Sequence, residues 1–328
     1  MKVKTKKIDM QKLLAPAALV ILYIFFSLTG RNFFGIEGLK QILQSCYYIS
    51  YMAFGVTFVI ITGGIDLSLG SNMMCSALIG GVLYAKAGWP LLPSILMVLL
   101  IGLFFGLCNG FMIAKLKLPP FIATLGTQMI TLGFGSIVSK VQTMYYPTIG
   151  SPDEWFRSVF YITRGNFPSG VLWLFGAYVV AWFLLNKTRF GRYAFAIGSN
   201  EEATRLSGVK VDGWKISVYA VCGLFAAMAG LFYGAAYTTI LPGKGNGEEM
   251  NGIAAVVIGG TSMAGGSGSM FGTLIGVLIM ATLKKGLASV GLQAHWQTFF
   301  TGFVVIGAVL LDIVRNNAAV KAAAKAMK

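Results

Sequence analysis

Residues 91–114 read LLPSILMVLLIGLFFGLCNGFMIA, a run that contains no charged side chain. A bilayer core of about 30 Å requires roughly 20 residues of helix to cross it, so this run is long enough to span a membrane. The rest of the chain has the same character. Of its 328 residues, 56% are hydrophobic and 11% are charged, against about 25% charged in an average soluble domain. The sequence therefore predicts a polytopic membrane protein and excludes a soluble or disordered chain.

Ten apolar segments along the chain are candidate transmembrane helices. They cover roughly residues 13–30, 42–62, 67–85, 91–114, 119–138, 170–186, 216–236, 251–263, 270–290 and 294–314. The eighth segment is too short to span a bilayer unaided, and we interpret it as a half-helix or a re-entrant segment. Only Gly63–Gly64–Ile65–Asp66 separates the second segment from the third, so these two can form one interrupted unit. Irregular backbone at membrane depth is stable only where protein or a water-filled cavity covers it.

The distribution of basic residues predicts the orientation of the chain. Ten crossings leave both termini on one side of the membrane, and 17 of the 26 lysine and arginine residues fall on that side. The positive-inside rule assigns that side to the cytoplasm. The predicted fold class is an all-α polytopic membrane protein with about ten transmembrane segments, including short or broken helices, and with both termini cytoplasmic. Residues 1–328 form a single transmembrane domain with a cytoplasmic loop at 187–215.

The sequence lacks the residue patterns of an enzyme or a metalloprotein. It contains one histidine, His295, and none of the motifs HExxH, GxSxG and CxxC. The glycine-rich run at 259–269 lacks the lysine of a P-loop, so any ATP must be bound by another subunit. The net charge of +15 lies in short clusters between apolar segments and does not indicate nucleic-acid binding. We expect no catalytic residue, no cofactor bound by this chain and no metal site.

The segment between Gly198 and Gly208 has the pattern of a short capped helix. Asn200 is a favourable N-cap residue, and two glutamates after it suit the positive end of a helix dipole. Gly208 can adopt the left-handed conformation that ends a helix. Because two turns are unstable alone in water, this helix packs on its own membrane domain or docks into a cytoplasmic subunit. The residues concerned are Asn200, Glu201, Glu202, Ala203, Thr204, Arg205, Leu206 and Gly208. In the docking interpretation, Ala203 and Leu206 become buried in the subunit.

Several polar side chains are predicted at membrane depth, where they can line a path for a substrate. They are Asn72, Asn109, Thr124, Gln128 and Thr131. The last three are spaced i, i+4 and i+7, so they share one face of a helix. For each residue taken singly, hydrogen bonding between helices is the favoured alternative. As a face, residues 124–131 are our candidate for a surface that contacts the substrate.

Two glycine-rich corners have similar sequences, VIITGGIDLSLGS and AVVIGGTSMAGGSGS. They are either matched broken helices near a transport path, as in transporters built from repeats, or sites of close helix packing. Asp66 either caps the helix that follows or contacts the substrate, and the glycine corner before it favours capping. The predicted corner residues are Gly63, Gly64, Asp66, Gly259, Gly260, Gly265 and Gly266.

Five stretches in register resemble the permease subunits of ribose/galactose-type bacterial ABC sugar importers. They are ITGGIDLSLGS (61–71), PFIATLG (120–126), NKTRFGR (186–192), AIGSNEEATRLSGV (196–209) and IAAVVIGGTSMAGG (253–266). The resemblance covers residues 42–314, nearly the whole chain. Each motif alone is weak, but five in the family's order are specific for the family. They are not specific for the sugar.

The resemblance implies a permease in the bacterial cytoplasmic (inner) membrane that binds no cofactor itself. Its implied partners are a cytoplasmic ATP-binding subunit that uses ATP and Mg, an extracytoplasmic sugar-binding protein and a second permease subunit in a homo- or heterodimer. Residues 198–208 then form the coupling helix that docks on the ATPase. Loops 139–169 and 237–250 are candidates for docking the binding protein, with Asp153, Glu154, Glu248 and Glu249 available for charge pairing. The family often has an aspartate where this chain has Asn251, which puts a charged role there in doubt.

The sequence leaves the cargo and one rival class of transporter open. The expected cargo is a pentose or hexose, and the alternatives within the family are a nucleoside or a sugar-like signal. The rival class is an ion-coupled carrier that acts alone, in which Asp66 would be a coupling site. A membrane scaffold or membrane enzyme is disfavoured, because no catalytic motif is present.

Overall fold

Two long helices form the centre of the bundle, because their side chains are apolar on all sides. They are α2 (Ile36–Ile61) and α10 (Val211–Tyr237), and most residues of both are buried. A helix that is hydrophobic all round is stable only inside a larger protein or a membrane. The structure is a computed structural model that describes the backbone of residues 10–326 and the side chains of residues 15–293 and 295–314.

The remaining helices surround this central pair. In chain order they are α1 (Met10–Thr29), α3 (Leu69–Ala85), α4 (Leu91–Ala114), α5 (Pro120–Val138), α6 (Trp155–Phe160), α7 (Gly170–Lys187), α8 (Arg189–Ser199), α9 (Glu201–Leu206), α11 (Glu248–Ile258), α12 (Met270–Ser289) and α13 (Ala294–Ala326). Strands β1 (Met144–Tyr145) and β2 (Thr239–Ile240) form one short antiparallel pair, in which Met144 lies opposite Ile240.

Seven helices in the described part of the chain are long and apolar enough to cross a membrane: α2, α4, α5, α7, α10, α12 and residues His295–Val314 of α13. Helices α1 and α3 are also apolar but have shorter apolar stretches, Ala15–Thr29 and Leu69–Ala85. The prediction of an all-α polytopic membrane protein is thus confirmed. The eighth predicted segment is α11, whose 11 residues rise only about 16 Å, roughly half of a bilayer core.

Small residues allow α4 to pack closely against α10. A Cβ atom on Gly106 would lie 2.4 Å from the carbonyl oxygen of Tyr219, and one on Gly223 would lie 2.3 Å from the carbonyl oxygen of Gly102. The two backbones therefore meet without side chains between them, as is common for helices in membranes. This contact fixes the position of α10 and therefore of the residues at its two ends. One end lies beside α9, and the other lines a cavity at the opposite end of the bundle.

Helix α8 and the β1–β2 pair were not among the predicted elements. In α8 the basic residues Arg189 and Arg192 alternate with Phe190, Ala194 and Ile197, so the helix has one apolar and one polar face. Its low overall hydrophobicity hides it from a search for membrane spans. Thr188 caps it by accepting a hydrogen bond from the backbone N–H of Phe190 at 3.1 Å.

We expect Gly106→Ala to destabilise the protein, because the added methyl group would meet the α10 backbone. Overpacking of this kind costs about 1–3 kcal/mol. The matched control is Gly213→Ala at the exposed start of α10, where a Cβ atom has no neighbour within 4 Å. Thermal unfolding in detergent should show a lower midpoint for Gly106→Ala and an equal or higher midpoint for Gly213→Ala. Equal midpoints for Gly106→Ala and the unmodified protein would contradict the packing account.

Candidate functional site

The short helix α9 has the capped geometry that its sequence predicts. The side-chain oxygen of Asn200 accepts a hydrogen bond from the backbone N–H of Ala203 at 2.9 Å. Gly208 has a φ angle of +83° just after the helix. Thr204 is buried against the membrane domain, whereas Ala203 and Leu206 face outward and Leu206 is 84% exposed. The outward face of α9 is thus free of contacts within the described part of the chain, and docking of α9 into another subunit stays a prediction.

Ion pairs attach α9 to the ends of neighbouring helices. Arg205 donates to Asp212 at the start of α10 (2.9 Å), and Asp212 also pairs with Lys117 at 3.2 Å. Glu201 pairs with Lys215 and Arg205. Partial burial acts to raise the pKa of Glu201, but Lys215 and Arg205 outweigh it and hold this pKa below its usual value. The network therefore keeps one face of α9 on the membrane domain and leaves the other face open.

The chain just before α9 touches both glycine corners. A Cβ atom on Gly198 would lie 1.8 Å from the carbonyl oxygen of Ile61 and 2.5 Å from the amide nitrogen of Gly266. That amide nitrogen donates to the carbonyl oxygen of Ile61 at 2.9 Å. The end of α8, the end of α2 and the loop after α11 thus meet through their backbones, and there is no room for a side chain at Gly198.

The two corners have the same backbone hydrogen bonds. After α2, the N–H of Gly63 donates to Ile60 and that of Gly64 to Val59. After α11, the corresponding pairs are Gly260 to Val257 and Thr261 to Val256. Gly63 and Gly260 have φ angles of +76° and +89°, a left-handed conformation that favours glycine. Both corners therefore end in the same glycine turn, which also follows α12 at Gly291. Close packing applies at the second corner as well, since a Cβ atom on Gly259 would lie 2.3 Å from the carbonyl oxygen of Gly272. Matched broken helices near a transport path stay a prediction.

Asp66 lies on the first corner and is buried. Its Oδ1 atom accepts hydrogen bonds from the amide nitrogen and the hydroxyl of Ser68, at 2.9 and 2.6 Å. The Ser68 hydroxyl also accepts from Asn109 at 2.9 Å. These are the contacts that the capping interpretation predicts. On the second corner, Asp312 of α13 accepts a hydrogen bond from the amide nitrogen of Met263 in the loop at 3.0 Å, while Ser269 caps the helix that follows.

The structure places the predicted path residues inside the bundle, and none of them lines either of the two cavities described next. All of them are at most 6% exposed, namely Asn72, Asn109, Thr124, Gln128 and Thr131. Their side chains contact other helices or their own helix. Thr131 bonds to the hydroxyl of Ser71 at 2.8 Å, and Asn109 accepts from Thr127 at 2.6 Å. These bonds favour the alternative of helix–helix hydrogen bonding, and a role on the substrate path stays a prediction.

An open cavity lies at the end of the bundle opposite α9. It has a volume of about 390 Å³ and is lined by residues from the start of α2, the ends of α10 and α12, and the segment before α11. A second cavity of about 460 Å³ lies between α11, α12 and α13. Glu248, Lys284 and Gln297 line both. Sequence analysis did not identify this site, because its residues come from α2, α10, α11, α12, α13 and the segment before α11.

The four predicted docking residues have different environments. Asp153 and Glu154 lie on the loop before α6, where Glu154 pairs with Arg164 at 2.6 Å. Glu248 lies in the cavity. Glu249 is only 3% exposed, and its carboxylate accepts hydrogen bonds from Gln128 and from the backbone N–H of Gly247. Glu249 therefore presents no charge to the outside, and of the acidic pair at 248–249 only Glu248 is accessible.

A bundle of apolar helices with interrupted segments and a polar cavity defines a multi-pass membrane permease. The chain belongs to the family described as "branched-chain amino acid transport system / permease component", which it matches over residues 38–309. It is 40% identical to the ribose import permease protein RbsC of Escherichia coli K12, over 90% of this chain and 91% of RbsC. It is 34% identical to the fructose import permease protein FrcC of Rhizobium meliloti, over 91% and 85% of the two chains. It is also 34% identical to the galactose/methyl galactoside import permease protein MglC of Salmonella typhimurium, over 90% and 92%.

We expect Asp212→Asn to loosen α9, because the substitution removes the charge that Arg205 and Lys117 share. Exposed ion pairs contribute little singly, so we expect roughly fivefold faster amide hydrogen exchange over residues 201–206. The matched control is Asp153→Asn at the opposite end of the bundle. Hydrogen exchange measured by mass spectrometry should change in the first variant only. Equal exchange over 201–206 in both variants would show that the ion pairs of Asp212 do not hold α9 on the membrane domain.

Proposed function

We propose that this chain is the transmembrane permease subunit of an ATP-driven, binding-protein-dependent importer that moves a monosaccharide into the cytoplasm of a bacterium. One observation carries the proposal: relatives that match about nine-tenths of the chain are import permeases for ribose, fructose and galactose. All three cargoes are monosaccharides. The exposed apolar face of α9 and the polar cavity opposite it fit a subunit that contacts one partner on each side of the membrane.

The end of the bundle that carries α9 is the cytoplasmic end in this proposal. Lys115, Lys117, Arg205 and Lys215 cluster there, as the positive-inside rule requires. With α1, α3 and the half-helix α11 counted beside the seven longer spans, the chain has about ten segments and both termini lie in the cytoplasm. The cavity then opens to the outside, where a loaded binding protein delivers the sugar.

The ATP-binding subunit docks on α9 in this proposal. Leu206 enters a pocket of that subunit, and Arg205 and Glu202 lie at the edge of the contact. ATP and Mg are bound by the partner, whose nucleotide-binding domains close and open during the cycle. The movement passes to α9 and then, through the backbone contacts at Gly198, to both glycine corners as a rigid-body shift. No covalent chemistry takes place in this chain.

We expect Leu206→Asp to separate the permease from its ATPase. Burying a leucine contributes about 1.5–3 kcal/mol, so at least a roughly tenfold loss of affinity should follow. Because Leu206 is 84% exposed, the isolated permease should keep its melting temperature. The control is Phe167→Asp, an exposed apolar residue at the opposite end. Co-purification of the ATPase should fall for Leu206→Asp alone, and retention in both variants would contradict docking on α9.

Reconstitution in liposomes tests the function itself. The complete complex, with a sugar-loaded binding protein outside, should take up labelled D-ribose, D-fructose or D-galactose only when hydrolysable ATP is inside. Uptake of a nucleoside and of none of the three sugars would support an ATP-driven importer but show that its cargo is a nucleoside. Uptake by the permease alone, driven by an ion gradient without ATP, would overturn the proposal and make Asp66 a candidate for ion coupling.

A further inference from the structure

Three tyrosine rings form one cluster on the wall of the cavity opposite α9. Tyr48 of α2 meets Tyr233 of α10 edge to face, with ring centroids 5.4 Å apart. Tyr233 and Tyr237 are 4.4 Å apart and lie one turn from each other on α10. Tyr48 and Tyr233 are almost buried, whereas Tyr237 is 52% exposed. The cluster therefore presents the ring of Tyr237 and the polar ends of its neighbours to the cavity.

An ion pair lies beside these rings. The ammonium group of Lys284 donates to the hydroxyl of Tyr48 at 2.9 Å, lies 5.5 Å from the centre of that ring, and lies 3.5 Å from the carboxylate of Glu248. Asn251 donates to the same carboxylate oxygen at 2.8 Å. The side chains of Lys284 and Glu248 are 20% and 28% exposed. Partly buried charges are stable here because each has an opposite charge and hydrogen bonds.

We infer that the Tyr48–Tyr233–Tyr237 cluster and the Lys284–Glu248 pair form a binding site for one uncharged monosaccharide on its way into the membrane. This inference rests on the proposed function. Aromatic rings pack well against the C–H faces of a sugar, while tyrosine hydroxyls, an ammonium and a carboxylate offer both donors and acceptors to its hydroxyl groups. The charges of Lys284 and Glu248 cancel, but Lys244 and Lys285 also line the first cavity and add positive charge. The choice of a neutral sugar over an anion therefore rests on the proposed monosaccharide cargo, and a sugar acid is included in the test.

The size and the opening of the site agree with a small ligand that passes through. The two cavities, of about 390 and 460 Å³, fall within the range of about 300–1,000 Å³ that is usual for small-molecule sites. Lys284, Glu248 and Gln297 line both, so the two cavities are neighbours that share these side chains. Since the polar groups already bond to one another, they can release a sugar without being left unpaired.

Glu248 therefore has a second candidate role. The sequence predicts that it pairs with a docked binding protein, whereas in the structure it is bonded to Lys284 and Asn251 inside the cavity. Lys284 lies near the end of α12, a position from which a lysine side chain can extend toward the membrane surface. Its contact with Tyr48, which is 4% exposed, holds it within the bundle instead.

The test uses the complete importer in liposomes, with ATP inside and labelled D-ribose, D-fructose or D-galactose delivered by its binding protein. Lys284→Met/Glu248→Gln removes both charges together and so leaves no unpaired buried charge. Tyr237→Leu removes the accessible ring. The matched controls are Lys40→Met/Glu37→Gln, an ion pair of 2.7 Å on α2 outside the cavity, and Phe175→Leu, an exposed aromatic residue on α7 outside the candidate docking loops. The initial uptake rate per ATP hydrolysed should fall at least tenfold in both cavity variants and stay within twofold of the unmodified complex in both controls. Uptake within twofold in both cavity variants would overturn the inference.

Chemical labelling provides a second test that does not depend on these variants. Gln297→Cys, in a Cys108→Ser background because the other three cysteines are buried, should react with a membrane-impermeant maleimide. The transported sugar should slow this reaction, while labelling of Ala87→Cys, which is exposed and lies outside the cavity and both candidate docking loops, should not change. No protection by any of the three sugars, or protection by D-galacturonate alone, would overturn the site for a neutral sugar. Protection without ATP-dependent uptake would support the site and count against the proposed function.

Discussion

The hydrogen bond from the amide nitrogen of Gly266 to the carbonyl oxygen of Ile61, 2.9 Å long, joins the two places where helices are interrupted. Interrupted helices leave backbone groups that lipid cannot satisfy, so the breaks must be covered by protein. Here each break covers the other, and Gly198 at the end of α8 packs against the backbone of both breaks. Asp66 and Asp312 bond the remaining amide groups. The arrangement of α2, α11 and α12 depends on this junction.

The same three helices connect the junction to the cavity. Helix α2 carries Tyr48 near its beginning and ends at the first corner. Helix α11 begins at Glu248 and ends at the second corner, and α12 leaves that corner and carries Lys284. A displacement of α9 that moves these three helices relative to one another would change the distances among Tyr48, Glu248 and Lys284. In the proposed importer, an ATP-binding subunit docked on α9 would in this way alter the proposed sugar site at the opposite end of the bundle.

Apolar length alone predicts most of the spans, because a helix in a bilayer must satisfy its own backbone within about 20 residues. The predicted segment 91–114 and α4 have the same bounds. The short eighth segment and the capped α9 also follow from local sequence. Helix α8 does not, since its pattern is amphipathic and its partners are distant in the chain. The orientation of the 124–131 face likewise depends on neighbours: the sequence shows that these residues share a face, but only the fold shows that other helices cover it.

The cavity could be predicted only in part. Tyr233 and Tyr237 are spaced i, i+4, which places both rings on one face of α10, but nothing local brings Tyr48 and Lys284 to them. Lys284 lies five residues before the end of α12, so a position at the membrane surface was the simplest interpretation. Its contacts come from α2 and α11, more than 30 residues away in the chain. Long-range pairing of this kind has no signal in a single sequence.

The central claim is that movement of α9 reaches the corners through the backbone contact at Gly198. The most direct measurement is uptake per ATP hydrolysed by the reconstituted importer that carries Gly198→Ala, with Gly176→Ala as a control whose added methyl group has no neighbour within 4 Å. The account predicts that Gly198→Ala keeps basal ATP hydrolysis but loses its stimulation by the loaded binding protein and transports at least tenfold less sugar per ATP. Unchanged transport per ATP in Gly198→Ala would contradict it.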